Sequence, residues 1–155
     1  MSLLDALAGA ANASQPLPWL LTSGQPTLRH FEALRDAGVT AVIDLRDPME
    51  PRPLDEPAEL ARLGIAYHAV PVRPGALDDA TLGRIVALLR EHAGQPTLLH
   101  CASANRVGGA LLAYLILDQG MSEQDAVDAA MRVGLRSTEL MDWGLTYARH
   151  GKGEG

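Results

Sequence analysis

The segment of residues 97–109 reads Thr97-Leu98-Leu99-His100-Cys101-Ala102-Ser103-Ala104-Asn105-Arg106-Val107-Gly108-Gly109. Its apolar first residues are typical of a short buried strand, its small residues of a tight loop, and its apolar continuation of a long helix. Cys101, the only cysteine of the chain, falls where the predicted strand ends, and Arg106 falls where the predicted helix begins. The segment therefore places a thiol and a guanidinium at the two ends of one short loop.

A helix that begins at this loop favours the binding of anions. Its first backbone N–H groups have no acceptor within the helix, and they form the positive end of the helix macrodipole. The same field stabilises a thiolate relative to a thiol, which makes Cys101 a candidate nucleophile. The alternative is a buried structural cysteine, because free cysteine is among the most buried residue types. The strand, the loop and the arginine around it favour the reactive cysteine.

Length and charge restrict the class of protein. The 155 residues suffice for one domain with a real core, and we assign residues 1–150 to that domain and residues 151–155 to a disordered tail. The 13 basic and 19 acidic residues argue against nucleic acid or an anionic membrane as a partner. A single cysteine, no membrane-length apolar run and no basic N-terminal region predict a cytoplasmic protein without a signal peptide.

Hydrophobic periodicity predicts an α/β fold with a central, mainly parallel sheet of four or five strands flanked by helices on both faces. In this fold Cys101 lies at the carboxyl end of a middle strand. The predicted strands are residues 19–22, 40–45, 65–70 and 97–101. The predicted helices are residues 3–11, 28–37, 56–63, 79–92, a helix from about residue 106, 123–133 and 137–148.

Two loops follow the carboxyl ends of predicted strands, the edge at which open α/β sheets bind ligands. Residues 46–57 are rich in proline and charge and include Asp47 and Glu50, and residues 71–75 include Arg73. The five histidines show no zinc-ligand spacing, and no Gly-x-Gly-x-x-Gly motif is present. We therefore expect neither a metal nor a cofactor.

The order of elements, with His100-Cys101 followed after four residues by Arg106, resembles the cysteine-dependent phosphatases of the tyrosine and dual-specificity type, which have five residues at that place. The shorter spacing is similar to a bacterial subgroup, the phosphatase-like domains related to the beta-lactamase-hydrolase-like proteins. The similarity covers about residues 17–135 and extends to Leu21-Thr22-Ser23-Gly24-Gln25-Pro26, Val42-Ile43-Asp44-Leu45-Arg46 and Asn105-Arg106-Val107-Gly108.

This resemblance implies thiolate chemistry on phosphate monoesters, with a phosphorylated small molecule or a phosphoprotein as substrate. Cys101 attacks phosphorus and forms a phosphocysteine, which water then hydrolyses. His100 supports the loop through a hydrogen bond. The phosphate oxygens are bound by the Arg106 guanidinium and by the backbone N–H groups of Ala102, Ser103, Ala104, Asn105 and Arg106.

The chain departs from the family pattern at three places. Ala104 stands where the phosphatase loop usually has glycine, and a positive φ there costs alanine about 1 kcal/mol or more. Val107 replaces a hydroxyl residue, which predicts slow breakdown of the intermediate. The position of the general-acid aspartate falls in residues 71–74, which carry no carboxylate. Asp78, Asp79 and, from the other loop, Asp47 or Glu50 are the alternative acids, and Arg73 is a candidate for binding a second anionic group of the substrate.

Two other function classes remain open. A rhodanese-like sulfurtransferase also uses a Cys-x4-Arg loop, but its sheet has a different strand order and lacks three helices after the loop. A non-catalytic phosphate-binding module is favoured by Ala104 and by the missing acid, and it is opposed by the presence of both Cys101 and Arg106. The sequence predicts neither the physiological substrate nor the oligomeric state.

Overall fold

A computed structural model describes residues 2–153 of the chain. After a short 3-10 turn at Leu4–Leu7, five strands and six α-helices follow. The strands are β1 (Ser14–Leu17), β2 (Leu20–Ser23), β3 (Ala41–Asp44), β4 (Ala66–Ala69) and β5 (Thr97–His100). The helices are α1 (Leu28–Asp36), α2 (Glu56–Leu63), α3 (Asp79–His92), α4 (Asn105–Gln119), α5 (Glu123–Val133) and α6 (Thr138–Gly153).

The strands form one sheet in the order β1-β2-β5-β3-β4. Strands β2, β5, β3 and β4 are parallel, whereas β1 pairs with β2 antiparallel. Cys101 follows directly on β5, the middle strand of the sheet, and α4 begins four residues later. The predicted α/β fold, with a mainly parallel sheet and the cysteine at the carboxyl end of a middle strand, is therefore confirmed.

Strand β1 was not predicted, because its sequence does not resemble that of a sheet interior. Residues 14–17 read Ser-Gln-Pro-Leu, and all four are only half-buried. Pro16 has no N–H to donate, and proline in a sheet is tolerated mainly on an edge strand. Strands β2, β3 and β5 are instead buried at every residue, as expected for strands covered on both faces.

Alternate residues of the central strands face two separate cores. Leu20, Ile43 and Leu99 pack with helices α3 to α6 on one face. On the other face, a smaller core contains Leu21, Val42 and Leu98 together with residues of the 3-10 turn, α1 and α2. The helices therefore cover both sides of the sheet and leave the carboxyl edge of β5 to the loop that follows it.

Helix α4 is buried along most of its length, from Val107 to Ile116. Its two glycines permit close packing against the C-terminal helices. A Cβ at Gly108 would lie 2.6 Å from the Cβ of Leu135, and one at Gly109 would lie 2.9 Å from the carbonyl oxygen of Leu140. A side chain at either position would therefore have to displace the neighbouring chain.

Helix α6 is longer than predicted. It continues through Gly153, so the predicted disordered tail is wrong for residues 151–153, and residues 154 and 155 lie outside the described part of the chain. The helix continues because its last turns are packed: a Cβ at Gly151 would lie 2.9 Å from the Cδ2 of Leu117. Arg149 also forms an ion pair with Glu123 at 2.8 Å. Within residues 2–153, no helix combines the length and the apolar character that crossing a membrane requires.

Candidate active site

The loop between β5 and α4 wraps around the Cys101 thiol. The Sγ atom accepts a hydrogen bond from the Ala104 N–H at 3.1 Å, and the side chain of Cys101 is fully buried. Ala104 has φ +75°, the left-handed conformation that the sequence led us to suspect. Alanine adopts it at a cost of about 1 kcal/mol relative to glycine. Alanine therefore adopts, in this loop, the left-handed backbone conformation that usually favours glycine.

Two hydrogen bonds hold the outer side of this loop. The carbonyl oxygen of Ala102 accepts from the Gln25 N–H at 3.0 Å, and that of Ser103 accepts from Nδ2 of Asn12 at 2.7 Å. Because the C=O and N–H of a trans peptide point in opposite directions, the N–H groups of Ser103 and Ala104 point toward the inside of the loop. No acceptor for the N–H groups of Ala102, Ser103 or Asn105 occurs among residues 2–153. These donors suit an anion.

The Ser23-Gly24-Gln25-Pro26 turn lies directly against the loop, and we expect Gly24→Ala to impair both stability and phosphate binding. A Cβ at Gly24 would lie 2.5 Å from the carbonyl oxygen of Ala102, so the turn or the loop must move. Overpacking of this kind costs about 1–3 kcal/mol. Melting temperature and titration with inorganic phosphate measure the two effects.

The matched control for this substitution is Gly83→Ala in α3. A Cβ there approaches only the hydroxyl end of the flexible Tyr147 side chain, at 3.3 Å. Phosphate affinity equal to that of the wild type in Gly24→Ala, with only the melting temperature lowered, would show that the turn supports the fold and not the loop geometry.

Arg106 projects from the first turn of α4 and is held by a glutamate. Its Nη1 and Nη2 donate to the two carboxylate oxygens of Glu50 at 2.5 and 2.7 Å, and Nη1 also lies 3.4 Å from the carbonyl oxygen of Val72. The hydrogen bonds with Glu50 raise the pKa of Arg106, and the Arg106 guanidinium lowers the pKa of Glu50. Among residues 2–153, Glu50 and Val72 accept only from Nη1 and Nη2 of Arg106, so neither uses Nε. An interaction with the Cys101 side chain also raises the pKa of Arg106, which places the guanidinium beside the thiol.

A cleft of about 600 Å³ opens beside the loop. Arg73 also borders it, and its Nε donates to Asp47 at 2.6 Å. The Met49 N–H and then the Arg73 guanidinium lower the pKa of Asp47. Besides hydrophobic residues, the cleft is lined by Asp47, Glu50, Arg73, Ser103, Asn105 and Arg106.

The structure separates the acid candidates. Asp47 and Glu50 line the cleft, whereas Asp78 and Asp79 do not. Asp78 is the N-cap of α3: its carboxylate accepts the Thr81 N–H at 2.7 Å, which lowers its pKa, and Asp79 is the first residue of that helix. Glu50 reaches the cleft from the same loop as Asp47. Its place in a loop after a strand end was visible in the sequence, but its contact with Arg106 was not.

A buried polar network lies behind the loop and consists of Asp44, Arg46, Glu56, Tyr67 and His100. His100 is fully buried, with Nε2 2.6 Å from Oε2 of Glu56 and Nδ1 3.3 Å from the carbonyl oxygen of Cys101. Arg46 bonds Asp44 through Nε and Nη2 at 2.9 and 2.8 Å, and Nη2 also reaches Glu56 at 3.1 Å. The network thus connects β3, α2 and β5 beneath the cysteine.

Paired charges set the protonation states in this network. Burial alone raises the pKa of Asp44, but hydrogen bonds from Arg46 and the charge of His100 outweigh burial and hold it well below its usual range. Burial and the hydrogen bond to Asp44 raise the pKa of Tyr67 to about 12. Asp44 is therefore a carboxylate and Tyr67 a neutral donor at physiological pH.

The same network contains a set of potential metal ligands. The ligand atoms of Asp44, Glu56 and His100 lie within 4.8 Å of one another. Both carboxylates are already paired with the Arg46 guanidinium, which supplies the positive charge that a metal ion would otherwise bring. The arrangement fits an internal ion pair that orients His100.

Asn105 has a role that the sequence did not indicate. Its Oδ1 accepts the N–H groups of Arg136 and Ser137 at 2.8 and 3.2 Å. The side chain therefore ties the start of α4 to the connection between α5 and α6. These contacts use Oδ1 only, so they leave the backbone N–H of Asn105 for the predicted contact with phosphate.

No protein-family model matches the chain. Over 116 residues, it is 30% identical to the beta-lactamase hydrolase-like proteins of two strains of Xylella fastidiosa. The match covers 71% of this chain but 26% of each relative, so the chain corresponds to about a quarter of their length. The resemblance to these bacterial proteins, predicted from the sequence motifs, is confirmed.

Solved structures extend the comparison. A DUF442 protein from Shewanella putrefaciens CN-32 superposes with a TM-score of 0.79 at 24% identity, covering 96% of this chain and 97% of that one. The catalytic domain of the PP-IP phosphatase SIW14 from S. cerevisiae, in complex with citrate, gives 0.74 at 19% identity and 94% coverage of both chains. Kinase associated phosphatase, whose catalytic site contains a cysteine, gives 0.72 at 16% identity, with 87% of this chain and 86% of that one covered.

The chain has the fold of the cysteine-dependent phosphatases. Because these identities lie below 25%, the structural similarity establishes the fold and leaves the activity to the residues of the site. On this phosphatase fold, the departures described above have definite locations. Ala104 has the glycine conformation, Val107 is buried in the core, and the loop after β4 presents Arg73 to the cleft.

Proposed function

We propose that the chain is a cysteine-dependent phosphatase that hydrolyses phosphate monoesters through a phosphocysteine on the His100-Cys101-x4-Arg106 loop. The observation that carries the proposal is the convergence of three groups on one loop. The Cys101 Sγ, inward-pointing N–H groups at the start of α4 and the Arg106 guanidinium provide a nucleophile and donors for a tetrahedral anion.

The reaction proceeds in two steps. The Cys101 thiolate attacks phosphorus, the S–P bond forms, and the P–O bond to the leaving group breaks with its electron pair on that oxygen. Water then attacks the phosphocysteine and releases inorganic phosphate and the thiolate. During both steps the Ser103 and Asn105 N–H groups and the Nε edge of Arg106 stabilise the equatorial oxygens. His100, held by Glu56, keeps the end of β5 in position.

The site has no clearly placed acid to protonate the leaving group, and this predicts a preference among substrates. We expect hydrolysis of an aryl phosphate but little hydrolysis of an alkyl phosphate, because a phenolate leaves without a proton and an alkoxide does not. General acid catalysis contributes about 10²–10⁴-fold. Turnover of matched aryl and alkyl esters measures the preference.

The same assay on Asp78→Asn and Asp79→Asn tests the two candidates outside the cleft. Asp78 caps α3, so each substitution should change turnover by less than about tenfold. A loss of 10²-fold or more in either variant would identify that residue as the acid. Asp47→Asn is the matched test within the cleft.

The sulfurtransferase alternative is disfavoured by the topology. Three helices, α4 to α6, follow the loop, and the rhodanese fold lacks this run. A non-catalytic phosphate-binding module is compatible with the Ala104 conformation and with two paired carboxylates at the cleft. It is disfavoured by a thiol placed inside an anion-binding loop, a group that binding alone does not require. Assays with phosphoesters and with thiosulfate distinguish the three.

A further inference from the structure

Two arginines line the cleft beside the Cys101 loop, and a carboxylate from one segment contacts each. Glu50 contacts Arg106, and Asp47 contacts Arg73. The Asp47 N–H also donates to Oε2 of Glu50 at 2.5 Å, so the two pairs are linked. Phosphoryl binding at Arg106 accounts for one of these arginines. It leaves the second without a role in the proposed reaction.

Both arginines line the same cleft, and Arg106 contacts the backbone next to Arg73. Arg106 Nη1 lies 3.4 Å from the carbonyl oxygen of Val72, the residue before Arg73. They differ in exposure: 12% of the Arg106 side chain is exposed and 57% of the Arg73 side chain. The first is suited to the reacting group at the cleft floor and the second to a group nearer the rim.

Asp47 leaves most of the Arg73 guanidinium free. It accepts only from Nε, and within residues 2–153 no acceptor contacts the Nη1 or Nη2 of Arg73. An exposed ion pair of this kind contributes little to stability, so a ligand anion can displace the carboxylate at small cost. Arginine binds carboxylate and phosphate groups through two parallel N–H donors, which these free atoms provide.

We propose that the substrate is a phosphate monoester that carries a second anionic group, a carboxylate or a further phosphate, and that Arg73 binds this second group. The inference rests on the proposed phosphatase function and specifies its substrate class. Arg73 thus acts as the specificity-determining residue in the loop after β4, where the resemblance leads one to expect the acid. Because Asp47 carries a like charge, its carboxylate opposes the second anion.

The test uses the Cys101→Ser protein, which binds without turnover. Titration calorimetry compares ω-carboxyalkyl phosphates of two, three and four methylenes with n-alkyl phosphates of the same lengths. At one length or more, the carboxylate should tighten binding by about tenfold or more, as expected for a charge-assisted bidentate contact. Adding Arg73→Gln should remove this gain and leave the n-alkyl phosphate unaffected within about threefold. Asp47→Asn should enlarge the gain.

The matched control is Arg84→Gln, which removes the same charge from the exposed face of α3 and does not touch the cleft. The inference is overturned if the carboxylate tightens binding by less than twofold at every length, or if the tighter binding survives Arg73→Gln. In either case, binding of the n-alkyl phosphates leaves the proposed function standing. Failure of both ester series to bind overturns the proposed function and the inference with it.

Discussion

Cys101→Ser should reduce hydrolysis of an aryl phosphate by more than about 10³-fold, because a serine hydroxyl without an adjacent base is a much weaker nucleophile than a cysteine sulfur. The substitution replaces Sγ by a smaller oxygen in a fully buried position that already accepts the Ala104 N–H. The loop should therefore keep its conformation. Initial rates with an aryl phosphate, beside the melting temperature and the affinity for inorganic phosphate, measure the effect.

The controls for this prediction are binding and alternative substrates. Phosphate affinity within about threefold of the wild type would show that only the nucleophile is lost. Turnover that survives Cys101→Ser would contradict thiolate catalysis outright. Sulfur transfer from thiosulfate by the wild type, without any phosphate release from esters, would instead favour the rhodanese-like alternative. Phosphate binding without either reaction would favour the non-catalytic module.

Local sequence patterns predicted most of the helices and strands, because capping residues and hydrophobic periodicity depend on residues that are near one another in the chain. The boundaries of α3 and α5 agree with the predicted residues 79–92 and 123–133, where a capping residue precedes each apolar stripe. Strand β1 escaped prediction because it carries no apolar alternation and is defined by pairing with β2. The end of α6 escaped for a related reason, since packing on Leu117, rather than helix propensity, extends it.

The loop of the site was also predictable from local sequence, whereas the residues that contact it from distant parts of the chain were not. His100, Cys101 and Arg106 lie within seven consecutive residues, so strand, loop and helix signals fix their order. Glu50 and Arg106 are 56 positions apart, and only the path of a proline-rich loop brings them together. Glu56 likewise meets His100 across 44 positions. No periodicity encodes contacts of this kind.

The electrostatics of the site follow from these long-range contacts. The sequence places Arg106 at a helix start, and in the folded chain Glu50 neutralises part of its charge. The pair also orients the guanidinium, because Glu50 binds Nη1 and Nη2 and does not use Nε. The planar guanidinium group has N–H donors on two edges, so it can bind a carboxylate and a phosphate at the same time.

Arg106→Lys should therefore weaken the binding of inorganic phosphate by about 10–100-fold, the cost of losing a charge-assisted bidentate contact. A lysine ammonium is one compact charge, and Glu50 competes directly with phosphate for it. The melting temperature should fall by less than about 5 °C, since 1 kcal/mol corresponds to about 2–4 °C in a protein of this size. Calorimetric titration with phosphate and thermal unfolding measure the two quantities.

Glu50→Gln is the matched variant for this prediction. It keeps the guanidinium and removes only the competing charge, so phosphate should bind at least as well as to the wild type, whereas Arg106→Lys binds it poorly. A drop in melting temperature of 10 °C or more in Arg106→Lys, with phosphate affinity unchanged, would show that Arg106 braces the loop after β3 through Glu50 and does not bind the anion. If Arg106→Lys instead loses phosphate affinity and keeps its melting temperature, Arg106 binds the phosphoryl group. The contact is then made through the Nε side of the guanidinium, because Glu50 binds Nη1 and Nη2.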